Sequence, residues 1–199
     1  NLFGMNREGS LRTEFSSLES RYIVNFREPW FLGRPIESRS FFLHESRKEK
    51  NIDTGEISYR IRRYTTSTGL EKQFTETIRG TLYYEYTVAD TFDLKPDVIL
   101  SREDTGTLAI SSISPGIVYD SRDDPFDPRA GIFTGMKLKY ASNALLSETN
   151  FAKTTAQLSG YHSLTRRLVL AASARAGMAE GFRGTEELPI VERFFLGGR

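Results

Sequence analysis

The sequence predicts an all-β protein, its strands running antiparallel and up-and-down as a transmembrane β-barrel. Three observations predict it. Period-two alternation recurs along the 199 residues, where helical periodicity is hard to find. No run approaches the roughly 18 uncharged apolar residues of a membrane helix. That leaves barrels open, because a barrel strand dilutes its apolar face with alternate polar residues. Short turns and longer polar loops also take turns along the chain.

The strands follow in order. In residues 22–26, Tyr22, Val24 and Phe26 alternate with Ile23 and Asn25. Residues 36–45 leave their face undecided, since Phe41 and Phe42 point opposite ways. Residues 58–74 hold Arg60, Arg62, Arg63, Glu71 and Lys72, and their alternation slips in the middle. That reads as projection beyond a membrane or as a bulge. Residues 81–88 are the clearest strand. Leu82, Tyr84, Tyr86 and Val88 share one face; Thr81, Tyr83, Glu85 and Thr87 share the other. Residues 107–119 shift phase near Ser111 and Ser112, with a bend expected at Pro115-Gly116. Residues 132–141 put Ile132, Thr134, Met136, Leu138 and Tyr140 on one side. Phe133, Gly135, Lys137 and Lys139 take the other. Two inward ammonium groups point to a wet interior, since dry burial of unpaired charge is costly. In residues 168–177, Leu168, Leu170, Ala172, Ala174 and Ala176 oppose Ser173 and Arg175. About nine strands result, most near the ~9–11 residues that a tilted strand needs to cross lipid.

Short turns are expected at residues 27–34, 74–77, 123–129 and 163–166, and longer loops at 47–56, 90–105 and 141–150. Up-and-down outer-membrane barrels have this rhythm, with even strand numbers in bacterial single chains, so an odd count fits a partial barrel.

Composition narrows the function classes. Lys+Arg is 27 against 26 Asp+Glu, a net charge of +1, which argues against a nucleic-acid surface. Fourteen Phe, nine Tyr and one Trp exclude disorder. Cys is absent, which excludes a disulfide scaffold, thiolate metal sites and a Cys nucleophile. No signal peptide opens the chain at Asn1, and the end at Arg199, after an apolar cluster and two glycines, reads as a boundary inside a larger protein.

The densest cluster of polar chemistry is Val118-Tyr119-Asp120-Ser121-Arg122-Asp123-Asp124-Pro125-Phe126-Asp127-Pro128-Arg129-Ala130-Gly131. Its aspartates invite a calcium reading, but Arg122 stands third from Asp120 and no Glu closes a twelve-residue loop. A turn accounts for it better. Pro125 and Pro128 fix φ, the Asp side chains accept local backbone hydrogen bonds, and Gly131 relieves crowding before the next strand. Asp120, Arg122 and Asp123 are also placed to pair with one another. His44 and His162 are the sole histidines, and no Gly-x-Ser-x-Gly elbow accompanies them, so no catalytic residue is read. No metal site, phosphate cradle or cofactor motif is read either. Tyr83, Tyr84, Tyr86, Trp30 and Phe31 suit an interfacial aromatic girdle or core packing better than a base-stacking platform.

Three stretches go further. Arg27-Glu28-Pro29-Trp30-Phe31-Leu32-Gly33-Arg34-Pro35 resembles the Pro-Trp-Phe-Leu-Gly turn of the Omp85 superfamily barrel, the surface-antigen family that includes outer-membrane assembly factors. Residues 118–131 resemble that family's Asp-Ser-Arg-Asp-x-Pro-x-x-Pro-x-x-Gly turn. Glu192-Arg193-Phe194-Phe195-Leu196-Gly197-Gly198 resembles the opening of its long loop that folds back into the lumen. The resemblance implies about nine strands of a 16-stranded barrel, lacking the POTRA domains, the first strands and the last five. It implies a periplasmic turn at Pro29, Trp30 and Gly33, and a structural turn at Asp120, Arg122, Asp123, Pro128 and Gly131. It implies the start of the lumen loop at Glu192, Phe194, Phe195, Gly197 and Gly198, with an Arg-Gly-aromatic tip beyond Arg199. It further implies a bacterial outer membrane, outer-membrane lipids and unfolded β-barrel clients as partners, and admits accessory lipoproteins. No bond is made or broken in templating client strands, so no catalysis is expected. A polypeptide secretion pore of the same superfamily, a soluble β-sandwich binding module and an outer-membrane hydrolase compete with this reading.

Overall fold

The computed structural model describes residues 6–51, 55–96, 106–165, 167–185 and 187–194. Among them run nine strands: β1 (Glu8–Phe15), β2 (Glu19–Glu28), β3 (Glu37–Lys50), β4 (Ile57–Gln73), β5 (Ile78–Phe92), β6 (Gly106–Asp120), β7 (Gly131–Ala141), β8 (Phe151–Thr165) and β9 (Leu168–Gly181). They form one sheet in chain order, each strand antiparallel to the next. Among the described residues β1 and β9 pair on one side only, so the sheet is open.

The two faces differ because side chains alternate along each strand and the register keeps like with like. Leu11 faces Val24, Val24 faces Phe42, Leu70 faces Leu82, and Tyr84 faces Ile113. These outer positions remain open: Leu82 is 53% exposed and Met136 54%. The opposite row is buried and largely polar, with Glu45, Thr65, Ser67, Thr87, Ser112 and Ser114 all under one-tenth exposed and Leu43, Ile61 and Ile110 among them. Apolar outside and polar inside inverts a water-soluble sheet and matches a barrel in lipid.

The outer face also has a measurable band. On β4 the outward residues between Arg62 and Lys72 are Tyr64, Thr66, Thr68 and Leu70, none charged. Ten residues at about 3.3 Å each span ~33 Å along the strand, and a tilt near ~40° makes the band ~25 Å tall, as a lipid-facing band requires.

Several elements differ from the sequence reading. β1 and β8 complete the nine strands, and β2, β5 and β9 run past the alternating cores. The loop-length contrast is weaker than expected. The connection 29–36 is longer than the connection 16–18, and the connection 121–130 is longer than 51–56. The asymmetry lies in the strands instead: β3 and β4 continue beyond Arg62, where the hairpin leaves the charge-free band. β6 runs unbroken through Pro115-Gly116, in one register with β5. Only its ladder to β7 is interrupted there, at Ser114 and Pro115, and it resumes in the same register at Gly116. Pro115 has no N–H to donate. The slip expected within 58–74 is a register shift at the far end, between Glu49 and Lys50 on the partner strand.

Candidate functional site

The connection after β2 begins with Pro29 and Trp30 and carries a single 3-10 turn at Phe31–Gly33. Phe31 N–H donates to the Ile36 carbonyl at 2.9 Å, and Arg34 N–H to the Phe31 carbonyl at 3.1 Å. Leu32 and Gly33 take positive φ, 53° and 72°. Trp30 and Leu32 stand exposed at the sheet's end, as side chains that meet an interface would.

The connection after β6 is tied by side chains. The Arg122 guanidinium donates to the Asp120 carboxylate through Nε at 2.8 Å and a terminal nitrogen at 2.7 Å. Its plane lies 4.8 Å from the Phe133 ring. Asp123 does not join this pair. Its Oδ1 accepts from the backbone N–H of Asp124, Arg129 and Ala130, at 3.0, 2.9 and 3.1 Å. Those amides hold its carboxyl below the usual carboxylate range. Asp124 closes a smaller loop on Phe126 N–H at 2.7 Å. Pro128 is half-buried within the turn. Gly131 takes φ +106°, and a Cβ there would fall 2.3 Å from the Ser121 carbonyl oxygen, so glycine is required twice over.

The third stretch comes back from the other end of the sheet. After β9 the chain turns, and residues 187–194 lie along the inner face. Leu188 and Val191 pack on a cluster of Ile110, Ala141 and Phe151, and Pro189 is fully buried. A 3-10 turn, Ile190–Glu192, carries Glu192 onto the wall. Glu192 is 7% exposed and pairs with Lys139 of β7; its second oxygen lies 3.7 Å from Lys153 of β8. Lys153 also donates to the Glu192 carbonyl at 2.6 Å and stands 4.6 Å from the Phe194 ring centre. Phe194 occupies the space over Gly177, where a Cβ would meet its ring at 2.7 Å. Phe195, Gly197 and Gly198 lie outside the described residues.

Further ion pairs line the inner face on β2–β4. Glu45 is held between Arg21 at 2.9 Å and Arg63 at 2.6 Å. Arg27 meets Glu37 at 2.6 Å, Arg39 pairs with Glu37 and Glu71, and Tyr83 hydrogen-bonds Glu71. Sequence reasoning had placed Lys139 inward in its strand, and Glu85 and Tyr83 on the more polar face of theirs. Lys153, Gly177 and the pairing of Glu85 with Lys139 escaped it, because which carboxylate meets which cation depends on strand register. The two turns sit at one end of the sheet, and the 187–194 segment enters from the other.

The chain matches the Omp85 superfamily domain over residues 1–199. It is 26% identical over 206 residues to a SAM50-like protein of Drosophila melanogaster, covering 100% of this chain and 45% of that protein. Its fold is similar to the crystal structure of BamA from Haemophilus ducreyi lacking POTRA domains 1–3, with a TM-score of 0.79 and 16% sequence identity. That likeness covers 98% of this chain and 39% of the other. The chain therefore spans less than half the length of either.

Proposed function

The chain belongs to the Omp85 superfamily, and from that membership we propose that it supplies part of the wall of an outer-membrane barrel that folds and inserts β-barrel clients. The parent barrel has 16 strands preceded by POTRA domains, and these nine are its middle portion. The observation that carries the reading is the pairing of a charge-free outer band with an ion-paired inner face on which residues 187–194 are seated. A dry core would not tolerate that inner face, and a water-exposed surface would not favour that outer band.

The physics of insertion is backbone satisfaction. An unfolded client enters lipid only if its N–H and C=O groups are paired, since each bare group costs several kcal/mol. A barrel that opens at a strand edge offers a template for pairing, and the client adds to it by β-augmentation. In this chain Pro29, Trp30 and Gly33 shape a periplasmic turn. Asp120, Arg122, Asp123, Pro128 and Gly131 shape the turn between β6 and β7. Glu192 and Phe194 begin the lumen loop, continuing through Phe195, Gly197 and Gly198. Partners are outer-membrane lipids, unfolded β-barrel clients and accessory lipoproteins. A bacterial envelope is the location we assign; an organelle outer membrane competes, since one relative is an insect protein.

The test uses the full-length parent in lipid vesicles with a urea-unfolded barrel client outside. Insertion yields a heat-modifiable, protease-protected client in the membrane. Recovery of the polypeptide inside the vesicles instead would assign the secretion reading, and no change over empty vesicles would defeat both.

A further inference from the structure

The β6–β7 ladder lacks pairing at Ser114 and Pro115, which face Lys139 and Leu138. Among the described strand pairs this is the ladder interrupted in mid-strand, where proline cannot donate. At the same height the Lys139 ammonium crosses the inner face of β6 to reach Glu85 of β5 at 2.5 Å. It passes over Ser112 and Ser114, which are small and almost fully buried. Glu192 then grips Lys139 from above and shares its other oxygen with Lys153. A chain of charges, Glu85–Lys139–Glu192–Lys153, thus runs from β5 to β7, through residues 187–194, to β8.

We propose that Glu192 is a positioning residue with two effects: it fastens the lumen segment to the wall and, through Lys139, closes the β6–β7 seam. The proposal rests on the lumen reading given above. Removing the Glu192 charge leaves Lys139 and Lys153 facing one another across β7 and β8, with one carboxylate, Glu85, on the far side of Lys139. Like charges held in a poorly hydrated space repel, so the segment lifts and the seam opens. The apolar hold of Leu188 and Val191 is on the small cluster of Ile110, Ala141 and Phe151, which leaves the charge network to fasten the rest of the segment.

The test is made in the full-length parent in vesicles. Glu192→Gln raises hydrogen exchange of the amides in 112–116 and 137–141 by about tenfold or more, the response of a locally opened ladder. Exchange in the β4–β5 ladder around Thr66 and Tyr86 stays at the wild-type rate. Residues 187–194 become cleavable by added protease. Lys139→Met reproduces both effects, and Lys139→Arg restores the wild-type pattern. Lys137→Met, on the same strand and face, changes neither. Wild-type exchange and cleavage in Glu192→Gln, or equal effects from Lys137→Met, would overturn the proposal. All readouts are on the barrel itself, so a failure of client insertion leaves them interpretable.

Discussion

A methyl group on Gly131 would stand 2.3 Å from the carbonyl oxygen of Ser121. The two residues sit on opposite limbs of the turn after β6, where Ser121 N–H donates to the Ile132 carbonyl at 2.9 Å. The turn is therefore closed as tightly as glycine allows.

Replacing that glycine should cost both the clash and the positive φ. Gly131→Ala is expected to lose roughly 1–3 kcal/mol. Urea unfolding of the barrel in vesicles measures it. Gly135→Ala is the control, because its added Cβ meets ordinary contacts of 3.7 Å and beyond.

Asp123 gives the turn a pH dependence. Its folded carboxyl is held below the ordinary value of about 3.9 by the Arg129 and Ala130 amides. A depressed carboxyl contributes stability that is present above the ordinary value and lost as pH falls through the lowered one. Protection of the Arg129 and Ala130 amides should thus hold at neutral pH and fade below about pH 4. Asp123→Asn should remove that dependence. An unchanged profile in the variant would assign the fading to another group.

Glu45 is held by two guanidinium groups on the inner face. Glu45→Gln leaves Arg21 and Arg63 adjacent with no carboxylate between them. Because Arg21 keeps about a third of its side-chain surface in water, the expected loss is ~1–3 kcal/mol, below that of a dry pair. Arg12→Ala, in an exposed pair with Glu14, should change stability by less than about 1 kcal/mol. Denaturant titration of both variants separates the cases.

The two faces should respond oppositely to a new charge. Ile113→Arg places a cation on the outer face near mid-band and is expected to cost ~2–4 kcal/mol in lipid. Gln157→Arg on the inner face should cost much less. Equal losses in refolding titrations would deny that the faces meet different solvents.

Much of this was legible in the chain. Residues 81–88 and 132–141 announced their faces because apolar side chains recur at alternate positions and charged ones fall between them, and they lie inside β5 and β7 respectively. β8 was hidden because its outward row, Ala152, Thr154, Ala156, Leu158 and Gly160, has Leu158 as its one large apolar residue. β1 was hidden because Leu11 and Phe15 are the sole large apolar residues it presents. Extension of β3 and β4 past the membrane is driven by backbone pairing, which leaves no hydrophobic period to read. The Glu192 contacts needed the register of β5, β7 and β8 together, a relation between strands that alternation within one strand does not carry.

Even-numbered side chains of β5 and β7 face lipid and odd-numbered ones face water. The chain has no cysteine, so single cysteines at Leu82, Tyr84, Met136 and Leu138, and at Glu85, Thr87, Gly135 and Lys137, are its sole spin-label sites. Collisional accessibility in vesicles is the direct measurement. The first set should favour oxygen and the second a water-soluble nickel complex; the same preference in both sets, or the reverse assignment, would contradict the account.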